Sequence, residues 1–303
     1  MSQTEQAPAL AEGVDTPTPP GRPSSLLVRS LRLWRTRIGV LFVLILVVIA
    51  IIGPWIAPHG ASEFVAPPFS KPGQNGAGVL GTDYIGQDVY SRFLYGGRSI
   101  LIVAIVSTAI GLVLGIAIGL IAAYARNALD DVLMRAMDVI MAFPQILLAL
   151  VAVSLIGAGW GIIIAAIALT TAPRVARVTR GAALPVVERD FVAATESMGL
   201  SRSRILTGEL FPSILGPIMV EATLRLTYSI GVIAALAFLG LAPDPNGANW
   251  GTMIKQNQLA LATQPWGALA PILAIALLTM GTGLIGDGIA RTAAGIDRER
   301  SEE

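Results

Sequence analysis

Fifteen consecutive residues, Ile38 to Ile52, carry no polar side chain, and the apolar stretch continues through Gly53-Pro54-Trp55 to Ala57. At 1.5 Å per residue, about 20 residues cross the hydrocarbon core of a bilayer. No water reaches the backbone there, so such a run has to be helical throughout. Both the run and the polar lead before it are longer than a secretory signal needs, so the segment is expected to be retained as a first span. Four further clear runs lie at roughly 100–125, 136–157, 213–240 and 267–288. A shorter one, 160–172, has about 13 strongly apolar residues, also the length of a buried core helix. Arg174, Arg177 and Arg180 beyond it extend a helix into the interface if their stems lie along it. Only 14% of the residues are charged, against about a quarter in soluble domains. The expected class is an all-α integral membrane protein with about six transmembrane helices.

Basic residues orient these spans, because cytoplasmic loops carry the excess of Lys and Arg. With the N-terminus inside, sixteen of the 21 Lys and Arg fall inside, among them Arg29, Arg32, Arg35 and Arg37. Lys71, Arg92, Arg98 and Lys255 fall outside, and Arg225 lies within the fifth span. Both termini are thus expected in the cytoplasm. Residues 1–28, centred on Thr16-Pro17-Thr18-Pro19-Pro20, read as a disordered polar tail. Residues 29–99 hold the first span and an outer loop. Residues 100–290 form the main transmembrane domain, with an inner loop over 173–212, and 291–303 form a cytoplasmic tail.

The absence of cysteine excludes disulfides, thiolate metal sites and cysteine nucleophiles. His59 alone cannot build a histidine metal cluster. Lys71 stands between Ser70 and Pro72, and Lys255 between Ile254 and Gln256. Neither follows a glycine and precedes Ser or Thr, as the lysine of a nucleotide-binding loop must. Lys+Arg (21) and Asp+Glu (20) nearly cancel, which removes a nucleic-acid reading based on bulk charge. No catalytic residue, metal or cofactor is expected in this chain.

About 40 residues between the fourth and fifth runs is long for a connection between packed helices. Within it, Asp190 to Gly199 reads as a short helix in which Phe191, Ala194, Thr195 and Met198 share a mostly apolar face. Gly199 suits its end, because glycine takes the left-handed conformation without a Cβ penalty. Ser201 is placed to cap a second helix through Leu210, and Pro212 marks the next span. Two readings stand: a knob for a partner's groove, or an interfacial helix resting on the membrane.

The stretch from Phe191 to Pro212 resembles the signature of binding-protein-dependent ABC permeases. That signature is Glu-Ala-Ala, three residues, Gly, nine residues, then Ile-x-Leu-Pro. Gly199 and Pro212 have the required spacing, and Ala194 matches the central alanine. Ala193 replaces the glutamate, Thr195 the second alanine, and Glu209 and Phe211 the Ile and Leu; Glu196 stands three residues beyond the lost carboxylate. Leu80 to Arg92, through Gly81, Thr82, Asp83, Gly86, Asp88 and Arg92, resembles the outer-loop signature of peptide/nickel permeases. The likeness narrows to the C-type subunit of dipeptide and oligopeptide importers, because Met134-Arg135, Asp138, Ala142-Phe143-Pro144, Phe238-Leu239-Gly240-Leu241, Trp250-Gly251, Pro265-Trp266 and Gly286-Asp287-Gly288 follow in order. It covers about 29–297.

This resemblance implies the transmembrane domain of a type I ABC importer in a bacterial or archaeal plasma membrane. It implies a second, B-type permease subunit, an extracytoplasmic substrate-binding protein, and two ATPases that use ATP and Mg. Phe191, Ala193, Ala194, Thr195, Glu196, Met198, Gly199 and Pro212 are then the ATPase-coupling residues, and short peptides are the expected cargo. An ion-coupled secondary transporter acting without ATPases is the alternative.

Single features carry paired readings. Ser107, Gly111, Gly115, Gly119 and Ala123 recur every four residues, as helices in close contact require; packing within the chain is preferred over substrate lining. Glu221 and Arg225, with Tyr228 and Ser229, form either a polar stripe lining a pathway or a self-satisfied ion pair. Arg135 and Asp138 are expected to pair, and Trp55, Trp160, Trp250 and Trp266 to anchor at the outer headgroups.

Overall fold

The computed structural model describes residues 23–244 and 246–294. Of the tail expected over 1–28, residues 1–22 lie outside that range, while Pro23–Ser30 form helix α1. The expected cytoplasmic tail lies outside it from residue 295. The remaining helices are α2 (Trp34–Ile56), α3 (Val89–Ala125), α4 (Ala128–Met141), α5 (Gln145–Ile156), α6 (Trp160–Val187) and α7 (Asp190–Ser197). After them come α8 (Arg202–Ile205), continued by a π-helical turn into α9 (Phe211–Ser213), then α10 (Leu215–Leu239), α11 (Trp250–Asn257) and α12 (Trp266–Ala293). Among the described residues there is no strand, only two isolated bridges in the outer loop.

Five helices (α2, α3, α6, α10 and α12) are long and apolar enough to span a membrane singly. The expected run at 136–157 is broken: α4 and α5 meet at 78° across Ala142-Phe143-Pro144. Pro144 has no N–H to donate and disfavours a helical residue before it, so the break falls where the sequence puts the proline. The weak fourth run becomes the 28-residue α6, which takes in Pro173, Arg174, Arg177 and Arg180. Of its most apolar window 56% is buried in the bundle, against 22% for α2. A helix shielded by protein does not need an apolar surface all round, which is why hydropathy understates it. The inner loop therefore starts near Glu188, not at 173, and the outer loop ends at Asp88, because α3 begins at Val89.

The glycine row of α3 is the seam along which α6 lies. A Cβ on Gly115 would stand 2.5 Å from the Val175 Cβ and 2.6 Å from the Ala172 carbonyl oxygen. Gly111 meets Ala168 and Thr171 in the same way, and Gly119 meets Ala176 and Thr179. Residue numbers rise together on both sides, so α3 and α6 run parallel. Two parallel neighbours that both span a membrane require the chain between them to return across it. The bent α4–α5 pair makes that crossing, which gives six. α10 and α12 run antiparallel, with Thr227 Oγ1 donating to Thr282 Oγ1 at 2.8 Å and Thr223 against Gly286. α2 and α12 also oppose, Gly39 on Gly281 and Thr36 on Gly288. The start of α2 and the end of α12 consequently share one side of the bundle.

Ion pairs fasten α4 to α6. Arg180 is bidentate on Asp130, with both N···O distances 2.6 Å, and Arg177 pairs with Asp138. The expected Arg135–Asp138 pair does not form: α6 comes close enough to supply the arginine, which spacing along α4 could not reveal. Trp250 is a second correction. It is fully buried, its Nε1 donates to the Phe93 carbonyl at 2.9 Å, and its ring stacks on Phe93 at 5.6 Å. Gly96 and Gly97 leave the room for it. Trp55 and Trp266 are exposed, and Trp160 is half-buried.

Two outcomes follow from this geometry. Gly115→Val should cost about 3 kcal/mol through overpacking, whereas Gly161→Ala, with open space around it, should be neutral; thermal unfolding in detergent compares them. Single cysteines at Asn127 and Arg189 should react with an impermeant maleimide from one side of the membrane, and one at Ala158 from the other. Labelling of all three from one side would rule out the six-span path.

Candidate functional site

The sequence-predicted residues fall into three groups along the bundle. The outer group is a buried polar staple. Gly81 and Gly86 have φ of +75° and +92°, and their missing side chains admit the backbone carbonyls of Ser70 and Ala66. Thr82 Oγ1 accepts from the Ser70 amide at 2.9 Å and donates to the Pro67 carbonyl at 2.7 Å. Asp88 caps α3, its Oδ2 accepting from the Ser91 amide at 2.8 Å and hydroxyl at 2.6 Å. The carboxylate of Asp83 turns its own loop by accepting from the Ile85 and Gln87 amides at 3.1 and 2.8 Å. Its other oxygen pairs with Arg92, and both side chains are only 1% exposed.

Arg92 reaches further than its own motif. It also donates to Gln87 Oε1, to Gln256 Oε1 at 3.1 Å, and to the Asn246 and Gly247 carbonyls at 3.4 Å. A planar guanidinium with five donors suits such a hub. Gln264 closes the far side, donating to the Leu80 and Thr82 carbonyls at 2.6 and 3.2 Å. Nothing in the sequence near position 264 announces that partner, about 180 residues away. Nearby, His59 faces Glu63 at 3.5 Å, and the Gly60 amide holds the Glu63 carboxyl below its ordinary value.

The middle group divides. Glu221 Oε1 and Arg225 Nε are 2.8 Å apart, with side chains only 8% and 11% exposed. Arg225 also lies 5.0 Å above the Tyr228 ring. Tyr228 is exposed, whereas Ser229 is buried and accepts from Thr108 Oγ1 of α3 at 2.9 Å. The four residues therefore do not share one face: Ser229 belongs to the α3–α10 contact, and Tyr228 alone opens outward. The pair is an ion pair by distance, but neither Glu221 Oε1 nor Arg225 Nε has a hydrogen-bond partner among the described residues.

At the inner end, α7 stands clear of the bundle on one side chain. Val192 is 2% exposed and packs with Leu120, Ile205, Leu210 and Ile214. Sequence periodicity missed it, because its neighbours Phe191, Ala194 and Met198 form the more obvious apolar set. Those three are exposed, with Ala193 and Glu196, while Thr195 is half-buried. The face read as apolar is thus the one the chain leaves open. Gly199 has φ +75°; its amide donates to the Glu196 carbonyl at 2.9 Å and the Leu200 amide to the Thr195 carbonyl at 3.3 Å. This paired closure is the Schellman arrangement. Ser201 stands at the next helix start without a side-chain cap bond, and α8 continues past Leu210 through Pro212. The Glu196 carboxylate lies within electrostatic reach of the Tyr124 hydroxyl. A groove of about 420 Å³ beside them is lined by Arg126, Glu188, Arg189, Asp190 and Ala193, among others.

Residues 115–293 match the family described as Binding-protein-dependent transport system inner membrane component. The chain is 35% identical to the Di/tripeptide transport system permease protein DppC of Pseudomonas aeruginosa, over 83% of this chain and 84% of that one. It is 34% identical to the Glutathione transport system permease protein GsiD of Pectobacterium atrosepticum, covering 82% and 83%. The Dipeptide transport system permease protein DppC of Haemophilus influenzae is 32% identical, covering 83% and 87%. Among solved structures, an inward-facing form of the MetNI methionine ABC transporter matches in fold with a TM-score of 0.51 at 20% identity. That match covers 64% of this chain and 93% of that one. These findings support an ABC importer permease over an ion-coupled secondary transporter.

Arg92→Ala would leave Asp83 buried without its counter-charge, a loss of about 3–5 kcal/mol. The expected result is rapid proteolysis within 58–88 of a chain that still inserts in the membrane. Protection equal to wild type would show that the staple is not held by this pair.

Proposed function

The chain belongs to the family of binding-protein-dependent transport system inner membrane components and is a membrane permease of an ABC importer, and from this we propose a peptide importer coupled to ATPases through α7. The observation that carries the coupling is the open face of α7. A short helix tethered by one buried valine, ended by a paired glycine closure and presenting Phe191, Ala194 and Met198 outward, has the form of an anchor for a partner's groove. The chain itself is non-catalytic in this reading. Two ATPase chains hydrolyse ATP with Mg, a second, B-type permease completes the path, and an extracytoplasmic binding protein delivers the cargo.

Short peptides are proposed as cargo because relatives of similar length carry di- and tripeptide or glutathione transport in their names. The excess of basic residues on one side supports cytoplasmic termini in a bacterial plasma membrane. Closure of the ATPases would displace α7 and alternate the access of the path. Ala193, where the family signature has glutamate, removes one carboxylate from the docking face. Glu196 keeps a carboxylate on α7, turned toward Tyr124. Tyr228 is the pathway-facing candidate of its group, with Glu221 and Arg225 supporting it from behind.

Gly199→Val forces a β-branched residue into φ +75° and Met198→Asp places a charge on the open face. Each should lower peptide-stimulated ATP hydrolysis of the reconstituted importer at least about tenfold while the chain remains inserted. Hydrolysis unchanged in both would remove α7 from the coupling path.

A further inference from the structure

The foot of the bundle carries a surface that the transport reading leaves unused. α1 does not continue α2; residues 31–33 turn the chain, and α1 packs against α12 and α10. Leu26 and Ala293 both come within 3.8 Å of where a Gly216 side chain would begin, so α1 spans the last turn of α12 and the first of α10. Arg29, Arg32, Arg35 and Arg37 are all exposed. None lies within 4.0 Å of a carboxylate among the described residues. Arg37 donates from Nε to the Leu31 carbonyl at 2.9 Å, which ties α2 back to the turn. Interleaved with these arginines are exposed Leu27, Val28, Leu31 and Trp34, the last 74% exposed. Arg291 is exposed in the last turn of α12, and Asp287, one turn earlier, is the exposed acid of that helix.

Four guanidinium groups with no carboxylate in reach among the described residues, beside a row of apolar side chains on one short corner, suit neither bulk water nor hydrocarbon. They suit the headgroup layer, where apolar side chains dip into the acyl boundary and guanidinium groups meet phosphate. The level is fixed by α2, whose unbroken apolar run begins at Ile38, directly after Arg37. Every phospholipid offers a phosphate, but only one with net negative charge neutralises a cluster of this size. We propose that the α1–α2 corner is a binding site for anionic phospholipid, and that the bound lipid holds α1 across the ends of α10 and α12. The site links the charge of the membrane to the packing of two spans.

The importer purified with its partner chains is the material for the test. Each arginine near an anionic surface strengthens attraction by about fivefold. Native mass spectrometry should therefore show that R29Q/R32Q/R35Q lowers the retention of phosphatidylglycerol relative to phosphatidylcholine at least about tenfold, while R29K/R32K/R35K retains it. Equal selectivity in wild type and the glutamine variant would overturn the proposal. Should the variants fail to assemble, wild type decides alone. In nanodiscs, amide exchange over 24–33 should slow severalfold when a third of the phosphatidylcholine is replaced by phosphatidylglycerol. Unchanged exchange, or the same slowing with free inorganic phosphate, would also overturn it.

Discussion

The approach of α3 to α6 is the contact on which the rest depends. In lipid there is little hydrophobic gain in bringing two apolar helices together, so association rests on close packing and on hydrogen bonds between helices. Gly111, Gly115 and Gly119 let the backbone of α6 come within van der Waals reach along three successive turns. That proximity shields α6 from lipid, and the shielding lets it carry Thr170, Thr171 and Thr179 buried in the bundle. It also fixes the direction of α6, which in turn requires α4 and α5 to cross. Arg177 and Arg180 project from the same helix toward α4, so the seam positions the ion pairs at the bend as well.

Much of this was legible in sequence. The four-residue spacing of small side chains announced the seam, whereas the run over 136–157 read as continuous and its break at Pro144 went unread. The fourth span was harder. Hydropathy reports what a helix shows to lipid, and α6 shows little. Partners distant in sequence were not legible: Asp138 has Arg135 one turn earlier yet pairs with Arg177, and Gln264 fastens a loop near residue 81. Trp250 read as a headgroup anchor because indoles favour that layer. Its burial depends on Gly96 and Gly97, whose purpose is visible only when α11 is laid against α3.

The inner residues divide in the same way. The backbone requirement at Gly199 was readable, because glycine before a helix restart signals a left-handed closure. The side-chain roles were not, since the periodic set Phe191, Ala194 and Met198 turned out to be the open face and Val192 the attachment. The stripe proposed on α10 also separated, because i,i+4 spacing does not say which neighbour each residue meets. Ser229 meets Thr108, while Glu221 and Arg225 meet each other.

Arg92 has a mechanical consequence for α3. Its guanidinium binds the loop before it, the loop ahead of α11 and a side chain of α11, all at one end of a helix about 55 Å long. α6 is packed along the same helix at Gly111, Gly115 and Gly119, so α3 and α6 would tilt about that tip as one body. A tilt of roughly 5° there displaces the opposite end by about 5 Å, close to one helical turn. Tyr124 sits at that opposite end, one residue before the helix stops, beside α7. The outer staple thus pins one tip of the paired α3 and α6, and α7 stands beside the other.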